Sequence, residues 1–213
     1  MTSLFEQHRP KTLDAVLGQG KAVKIIKRLL ERGIGSRSIW ISGASGTGKT
    51  SIARIIAGTI ADDLYVNEYD CADMLTVAAI DKIEQDMSYF AGGKGGRVWI
   101  INEAHGLRKQ SIRRLLGLLE RIPDHVCIIF TTTKEGEAGL FDDQIDASPL
   151  LSRCSRIQLT NQGLSKLFAE HCRAIATIEG LNGKPMESYV RLAARCKNNC
   201  RAMIQEIESG SMV

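Results

Sequence analysis

Residues 43 to 50 read GASGTGKT, between a short apolar run, SIWISG (38–43), and a segment of helical periodicity, TSIARIIAGTIA (50–61). The spacing is G-x-x-x-x-G-K-S/T, directly after a strand pattern and directly before a helix pattern. Glycines in such a loop let successive backbone N–H groups curl around phosphate oxygens, and the helix that follows adds the positive end of its dipole. Lys49 is expected to reach the β and γ oxygens of a nucleotide, and Thr50 to offer its hydroxyl to Mg²⁺. Gly43, Ala44, Ser45, Gly46, Thr47, Gly48 and Ser51 complete the cradle. A ligand-free strand-to-helix turn would need the glycines, but it would not need the Lys–Thr pair.

Working outward, short apolar runs alternate with helical ones. LYVNEYD (64–70), VWIIN (98–102), VCIIFTTT (126–133) and RIQLT (156–160) read as further strands. Several are almost wholly apolar, as strands buried on both faces of a parallel sheet are. Between them, 76–90 and 107–122 carry helical periodicity, and in the second Ile112, Leu115, Leu116 and Leu119 form one apolar stripe. AGGKGG (91–96) reads as a turn. Past Thr160 the strand patterns stop, and helical ones follow at about 163–178, 186–196 and 199–208. The expectation is an α/β nucleotide-binding domain over 1–160, its parallel sheet covered by helices, and a small all-helical lid domain over 161–213.

Composition bounds the remaining classes. The chain has 213 residues, 44% hydrophobic and 24% charged, with a formal net charge of +4. That suits a globular chain with one sizeable core, and the mild basicity is compatible with a polyanionic partner without requiring one. No run approaches the ~18 apolar residues of a membrane span, and MTSLFEQHRP places charges where a signal peptide needs an apolar core. A cytoplasmic protein with no membrane partner is expected. The six cysteines, at 71, 127, 154, 172, 196 and 200, lack zinc-ribbon spacing and read as reduced thiols.

RVWIINEAH (97–105) departs from expectation. A buried strand that ends in two acids commonly supplies a magnesium-side carboxylate and a residue that activates water; here the first acid is Asn102 and the second is Glu103. Asn keeps an acceptor oxygen and loses the charge, so it can position a metal-bound water without neutralising the ion. Glu103 is the candidate base.

The segment HRPKTLDAVLGQGKAVKIIKRLLERG, then GTGKTSIARIIAG, WIINEAH, FTTT, SPLLSRC and NNCRAMIQEI, taken in that order, resemble the clamp-loader ATPases of the AAA+ class. The likeness is to replication factor C small subunits and the bacterial tau/gamma subunit of the DNA polymerase III clamp loader. It spans nearly the whole chain. The resemblance implies that Arg9, Pro10, Val16 and Leu17 line the adenine side of an ATP site, and that Thr133, or else Thr132, senses the γ-phosphate. It further implies that Arg153 acts in trans as an arginine finger in a neighbouring subunit's site, and that Arg201 closes the lid over the phosphates. On the helix at 107–122, Arg108, Lys109, Arg113 and Arg114 would track the phosphates of duplex or primed DNA. A sliding clamp and other AAA+ subunits, as a homo- or hetero-oligomer, would be the partners.

Two departures accompany the likeness. The chain is expected to end after the lid, without the collar domain of clamp loaders, and its sequence does not carry the zinc-binding insertion of the bacterial subunit. An acidic stretch, KEGEAGLFDDQIDA (134–147), lengthens the path to Arg153 and would be either a docking surface or a surface loop. The expected function is an oligomeric ATPase that couples ATP binding and slow hydrolysis to DNA replication or a related DNA transaction. The alternative is an ATP-binding assembly or regulatory module that does not hydrolyse.

Overall fold

The computed structural model describes residues 2–33, 35–133 and 148–213. Its centre is a five-stranded sheet: β1 (Arg37–Ser42), β2 (Val66–Tyr69), β3 (Arg97–Ile101), β4 (Val126–Thr132) and β5 (Cys154–Gln158). The order across the sheet is β2-β3-β4-β1-β5, with every neighbouring pair parallel. Parallel neighbours need crossover connections, and helices supply them: α3 (Lys49–Ile60), α4 (Val77–Met87) and α5 (Lys109–Leu119). Because β1 sits between β4 and β5 while its crossover runs to the far edge, the chain reverses direction beside β1. Ligands of open parallel sheets collect at the carboxyl ends of the strands at such a point.

Alternation along the strands separates two apolar layers. Ile39, Ile41, Val98, Ile100, Cys127 and Ile129 face α3 and α2 (Gly20–Glu31). Trp40, Trp99, Ile101, Ile128 and Phe130 face α4 and α5, whose Ile80, Ile83, Ile112 and Leu115 are fully or almost fully buried. Each such aliphatic side chain contributes about 1.5–3 kcal/mol of burial, before the entropy cost of ordering it. A third apolar cluster is built by α7 (Ser165–Ile178), α8 (Met186–Arg195) and α9 (Cys200–Glu208), through Phe168, Cys172, Tyr189, Leu192, Met203 and Ile207. Leu4 of the short α1 (Leu4–Gln7) joins that cluster, so the first residues pack with the last helices.

The strands and the main helices lie close to where the periodicity places them, but β2 is shorter than 64–70, because Asp63–Tyr65 form a single 3-10 turn ahead of it. β5 starts two residues earlier than the apolar pattern of 156–160, because Ser38 of β1 pairs with Cys154 and its hydroxyl donates to the Arg153 carbonyl at 2.7 Å. α4 ends at Met87 rather than 90, in a tight turn through Ser88 and Tyr89. The periodicity reading had not marked α1, α2 or the five-residue α6 (Ser148–Ser152). The acidic stretch 134–147 lies outside the described residues. Among the described residues no helix is long and apolar enough to cross a membrane.

Candidate functional site

β1 delivers the chain to residue 43, and α3 takes it up again at Lys49. Gly48 is the N-cap of α3 at φ +96°, a left-handed conformation that a β-carbon would strain. With no capping side chain, the first amides of α3 stay open to an anion. Lys49 is buried, and its Nζ donates to the carbonyls of Gly43 and Ala44, both at 3.0 Å. Thr47 ties the loop to itself through the Ala44 carbonyl at 2.8 Å. The ammonium is thus held inside the curl of the loop, where phosphate oxygens can replace carbonyl oxygens as its acceptors.

Three adjacent strand ends aim polar groups at the start of α3. Asn102 follows Ile100 on the α3 face of the sheet, Thr131 follows Ile129, and Glu68 pairs in register with Ile100. The buried Asn102 takes the Thr131 hydroxyl on Oδ1 at 2.8 Å and the Thr50 hydroxyl at 3.4 Å. Its Nδ2 donates to Glu68 Oε1 at 2.7 Å. Arg54, one turn further along α3, closes on the same carboxylate, with Nε donating to Oε2 at 2.7 Å. Neither Glu68 nor Thr131 was picked out from the sequence. The period-2 pattern of VNEY and the position of Thr131 two residues after Ile129 carry that information once strand register is known.

Glu103 lies just beyond, with φ +50°, rare for a residue bearing a β-carbon and of the kind that persists where function demands it. Its half-exposed carboxylate stands 3.4 Å from His105 Nδ1, which in turn lies 3.3 Å from the Thr132 hydroxyl. Strand alternation divides the threonines: Thr131 meets Asn102, whereas the fully buried Thr132 goes to the opposite face. Thr133 is half-buried at the first position after β4.

Beside the loop a cavity opens between three parts of the chain. Arg9, Pro10, Val16 and Leu17 form one wall, Gly46, Thr47, Gly48 and Ser51 its floor, and Phe168, His171, Cys200, Arg201 and Ile204 the opposite wall. The four N-terminal residues and Arg201 therefore meet in one place. The reading of the sequence missed the rest of the helical wall, and also Phe5, His8 and Ala15, which complete the cavity. Arg9 donates to the Ser51 hydroxyl at 3.0 Å and to Glu6, and Arg201 lies over the Phe5 ring at 5.0 Å. Burial, and secondarily the charge of His8, hold His171 below the ordinary histidine pKa, so it faces the cavity as a neutral ring.

The other basic candidates lie apart. Arg153 sits on its own chain's Glu120 and on the Pro149 carbonyl, half-exposed. Its hydrogen bond first, and its charge second, hold the Glu120 carboxyl below the usual range. Arg108, Lys109 and Arg113 are exposed along α5. Arg114 is at odds with a DNA-contact role: it is partly buried and bound to Asp81 at 2.7 Å and to Glu84, bracing α5 against α4.

Mg²⁺ prefers oxygen donors, keeps several waters and relies on one or two carboxylates plus substrate phosphates. The Thr50 and Thr131 hydroxyls and Asn102 Oδ1 are oxygen donors of this kind, with the Glu68 carboxylate one hydrogen bond behind them. Among the described residues no cluster of three or more His, Cys, Asp or Glu side chains forms an all-protein cage. The residues fit a magnesium ion that arrives with nucleotide.

The profile of AAA, the ATPase family associated with various cellular activities, matches residues 39–161. DNA polymerase III subunit gamma/tau of Mycoplasma genitalium is 33% identical over 176 residues, which covers 70% of this chain and 28% of that protein. Replication factor C large subunit of Methanothrix thermoacetophila is 27% identical over 225 residues, covering 99% of this chain and 44% of that protein. The chain spans between about a quarter and a half of the length of these relatives. The solved structure of the Thermotoga maritima RuvB Holliday junction branch migration motor superposes with a TM-score of 0.71 at 22% identity, over 94% of this chain and 64% of that one, a likeness of fold. With the profile covering more than half of its residues, the loop, the strand order and the helical cluster all in agreement, this chain belongs to the AAA family of ATPases, on its clamp-loader side.

Proposed function

We propose that the chain binds ATP with Mg²⁺ between its phosphate loop and the C-terminal helices, and hydrolyses it slowly as one subunit of an oligomer engaged in DNA replication or a related DNA transaction. The observation that carries this reading is Lys49: a buried ammonium held by two carbonyls at the mouth of an open helix, with Thr50 beside it. Lys49 exchanges those carbonyls for β and γ oxygens. Thr50 would hold the metal by its hydroxyl and Asn102 a metal-side water by its oxygen; when bound, the ion would supply charge neutralisation on the phosphates. Arg9, Pro10, Val16 and Leu17 take the base, and Arg201 caps the phosphates from the lid.

Glu103 orients and deprotonates the attacking water, with Thr133 on the γ-phosphate side. Arg153 completes a neighbouring subunit's site in trans, and the exposed face of α5 meets duplex or primed DNA beside a sliding clamp. The functional division falls at 160/161, with 1–160 as the nucleotide-binding unit and 161–213 as the lid.

A second reading, an ATP-binding module without turnover, is favoured by the uncharged Asn102 and by the contact that turns Glu103 toward His105. Calorimetry with ATP and Mg²⁺ should give heat for the wild type and none for Lys49→Ala. Phosphate release by the wild type should then exceed that of Glu103→Gln. Equal release would leave the module reading, and absence of wild-type binding would end both.

A further inference from the structure

The polar row at the strand ends contains one carboxylate that the nucleotide reading leaves without a task. Glu68 stands on β2, the strand next to β3, with its side chain four-fifths buried. Its Oε1 accepts from Asn102 Nδ2 at 2.7 Å and from Arg54 Nη2 at 3.2 Å, and its Oε2 accepts from Arg54 Nε at 2.7 Å. On the other side of the same carboxamide, Oδ1 takes the Thr50 and Thr131 hydroxyls. Asn102 is therefore a bridge: one end lies at the metal-side hydroxyl and the other on a negative charge.

The identity of residue 102 follows from this bridge. A carboxylate there would accept from Thr50 and Thr131 equally well, but it would face Glu68 across 2.7 Å with no proton between them. Like charges at that distance in a partly buried site repel strongly, whereas the amide N–H turns the same contact into a charge-assisted hydrogen bond. One negative charge remains in the row, displaced by one side chain from the strand end to its neighbour.

We propose that Glu68 is the positioning residue that supplies the magnesium side of the site with the carboxylate charge Asn102 lacks, acting through the Asn102 bridge. This rests on the reading of the site as one for ATP with Mg²⁺. Arg54 fixes the carboxylate's orientation. It offsets part of the Glu68 charge, but its guanidinium is shared with Glu6 at 3.9 Å, so part of the Glu68 field is left for the site.

The test measures ATP affinity of the full chain in Mg²⁺ and in EDTA, and takes the ratio of the two as the gain due to the metal. Glu68→Gln should keep the EDTA affinity and lose about tenfold of the gain, the usual cost of an outer partner of a metal ligand. Asn102→Asp with Glu68→Gln keeps one charge and reverses the hydrogen bond, and should restore the gain. Arg54→Gln should leave the gain in place. The proposal is overturned if Glu68→Gln keeps the full gain, if the double variant fails to recover it, or if Arg54→Gln loses it, which would make Glu68 only the partner of Arg54. A wild type that binds ATP in EDTA but gains nothing from Mg²⁺ overturns the proposal and leaves nucleotide binding standing. No ATP affinity in either condition removes the underlying reading itself. Should Glu68→Gln melt below the assay temperature, the double variant and Arg54→Gln still decide.

Discussion

A β-carbon on Gly46 would stand 1.9 Å from Asn199 Oδ1, so the crest of the phosphate loop and the N-cap of α9 are in direct contact. Asn199 serves both sides. Its Oδ1 accepts from the Ala202 amide at 3.1 Å, closing the first turn of α9, and its Nδ2 donates to the Ser45 hydroxyl at 3.3 Å. Gly46, at φ +73°, is required there twice over, by backbone conformation and by space. Asn199→Ala should destabilise the chain by about 1 kcal/mol, the ordinary worth of an N-cap. Asn199→Asp, which keeps the accepting oxygen, should recover most of that. Urea unfolding measures both, and an alanine variant as stable as wild type would show that the cap does not hold the lid helix.

Arg153 and Glu120 form a second pair with a functional consequence. If Arg153 serves a neighbouring subunit, it must first leave its own Glu120. Removing the acid frees the finger at little structural cost, since exposed ion pairs are weak. Glu120→Ala should leave the thermal midpoint unchanged and raise turnover at subunit concentrations too low to saturate assembly. Arg153→Ala should lower turnover by ~10³-fold or more, as loss of such a finger does. Rates independent of protein concentration in the wild type and in Glu120→Ala, with turnover unchanged in Arg153→Ala, would remove Arg153 from any site in trans.

The basic helix separates into two kinds of residue. Lys109 and Arg113 are exposed and one turn apart, whereas Arg114 is spent on Asp81 and Glu84. If α5 tracks duplex phosphates, binding should weaken linearly with the logarithm of salt. Lys109→Gln and Arg113→Gln should then each reduce that slope by about 1. Arg114→Gln should leave the slope alone and cost at most about 1 kcal/mol of stability through its lost ion pairs. An unchanged slope in the first two variants would take DNA off this face.

The strands were readable because burial on both faces forces apolar runs: β1, β3 and β4 are buried almost throughout, and each carries an uninterrupted apolar stretch. β5, at the sheet edge, buries one of its five residues and begins earlier than its apolar letters, because pairing with β1 and not side-chain chemistry sets its start. The phosphate loop was legible in full, since its eight residues are contiguous. The polar row beside Thr50 was half legible: Thr50 and Asn102 sit in motifs, but Glu68 and Thr131 become neighbours only through strand register across β2, β3 and β4. The lid wall of the cavity was hidden for a similar reason. Phe168, His171 and Ile204 read as an ordinary helical core stripe, and nothing local distinguishes those that face a cavity from those that face the Tyr189 cluster.

His171 makes the stability of this lid dependent on pH in a direction that can be worked out. Burial first, and the charge of His8 second, hold its pKa in the folded chain below the unfolded value. As pH falls, the unfolded chain takes up the proton before the folded one does, so protonation favours unfolding. Above the unfolded pKa, near 6.5 for an ordinary histidine, the ring costs nothing. Stability should decline as pH drops below that value and level off once the folded ring also protonates. Urea unfolding midpoints at pH 7.5 and 5.5 should therefore differ in the wild type and differ less in His171→Gln, where no ring titrates. Equal losses in the two proteins would assign the pH dependence to other groups and leave His171 a passive part of the cavity wall.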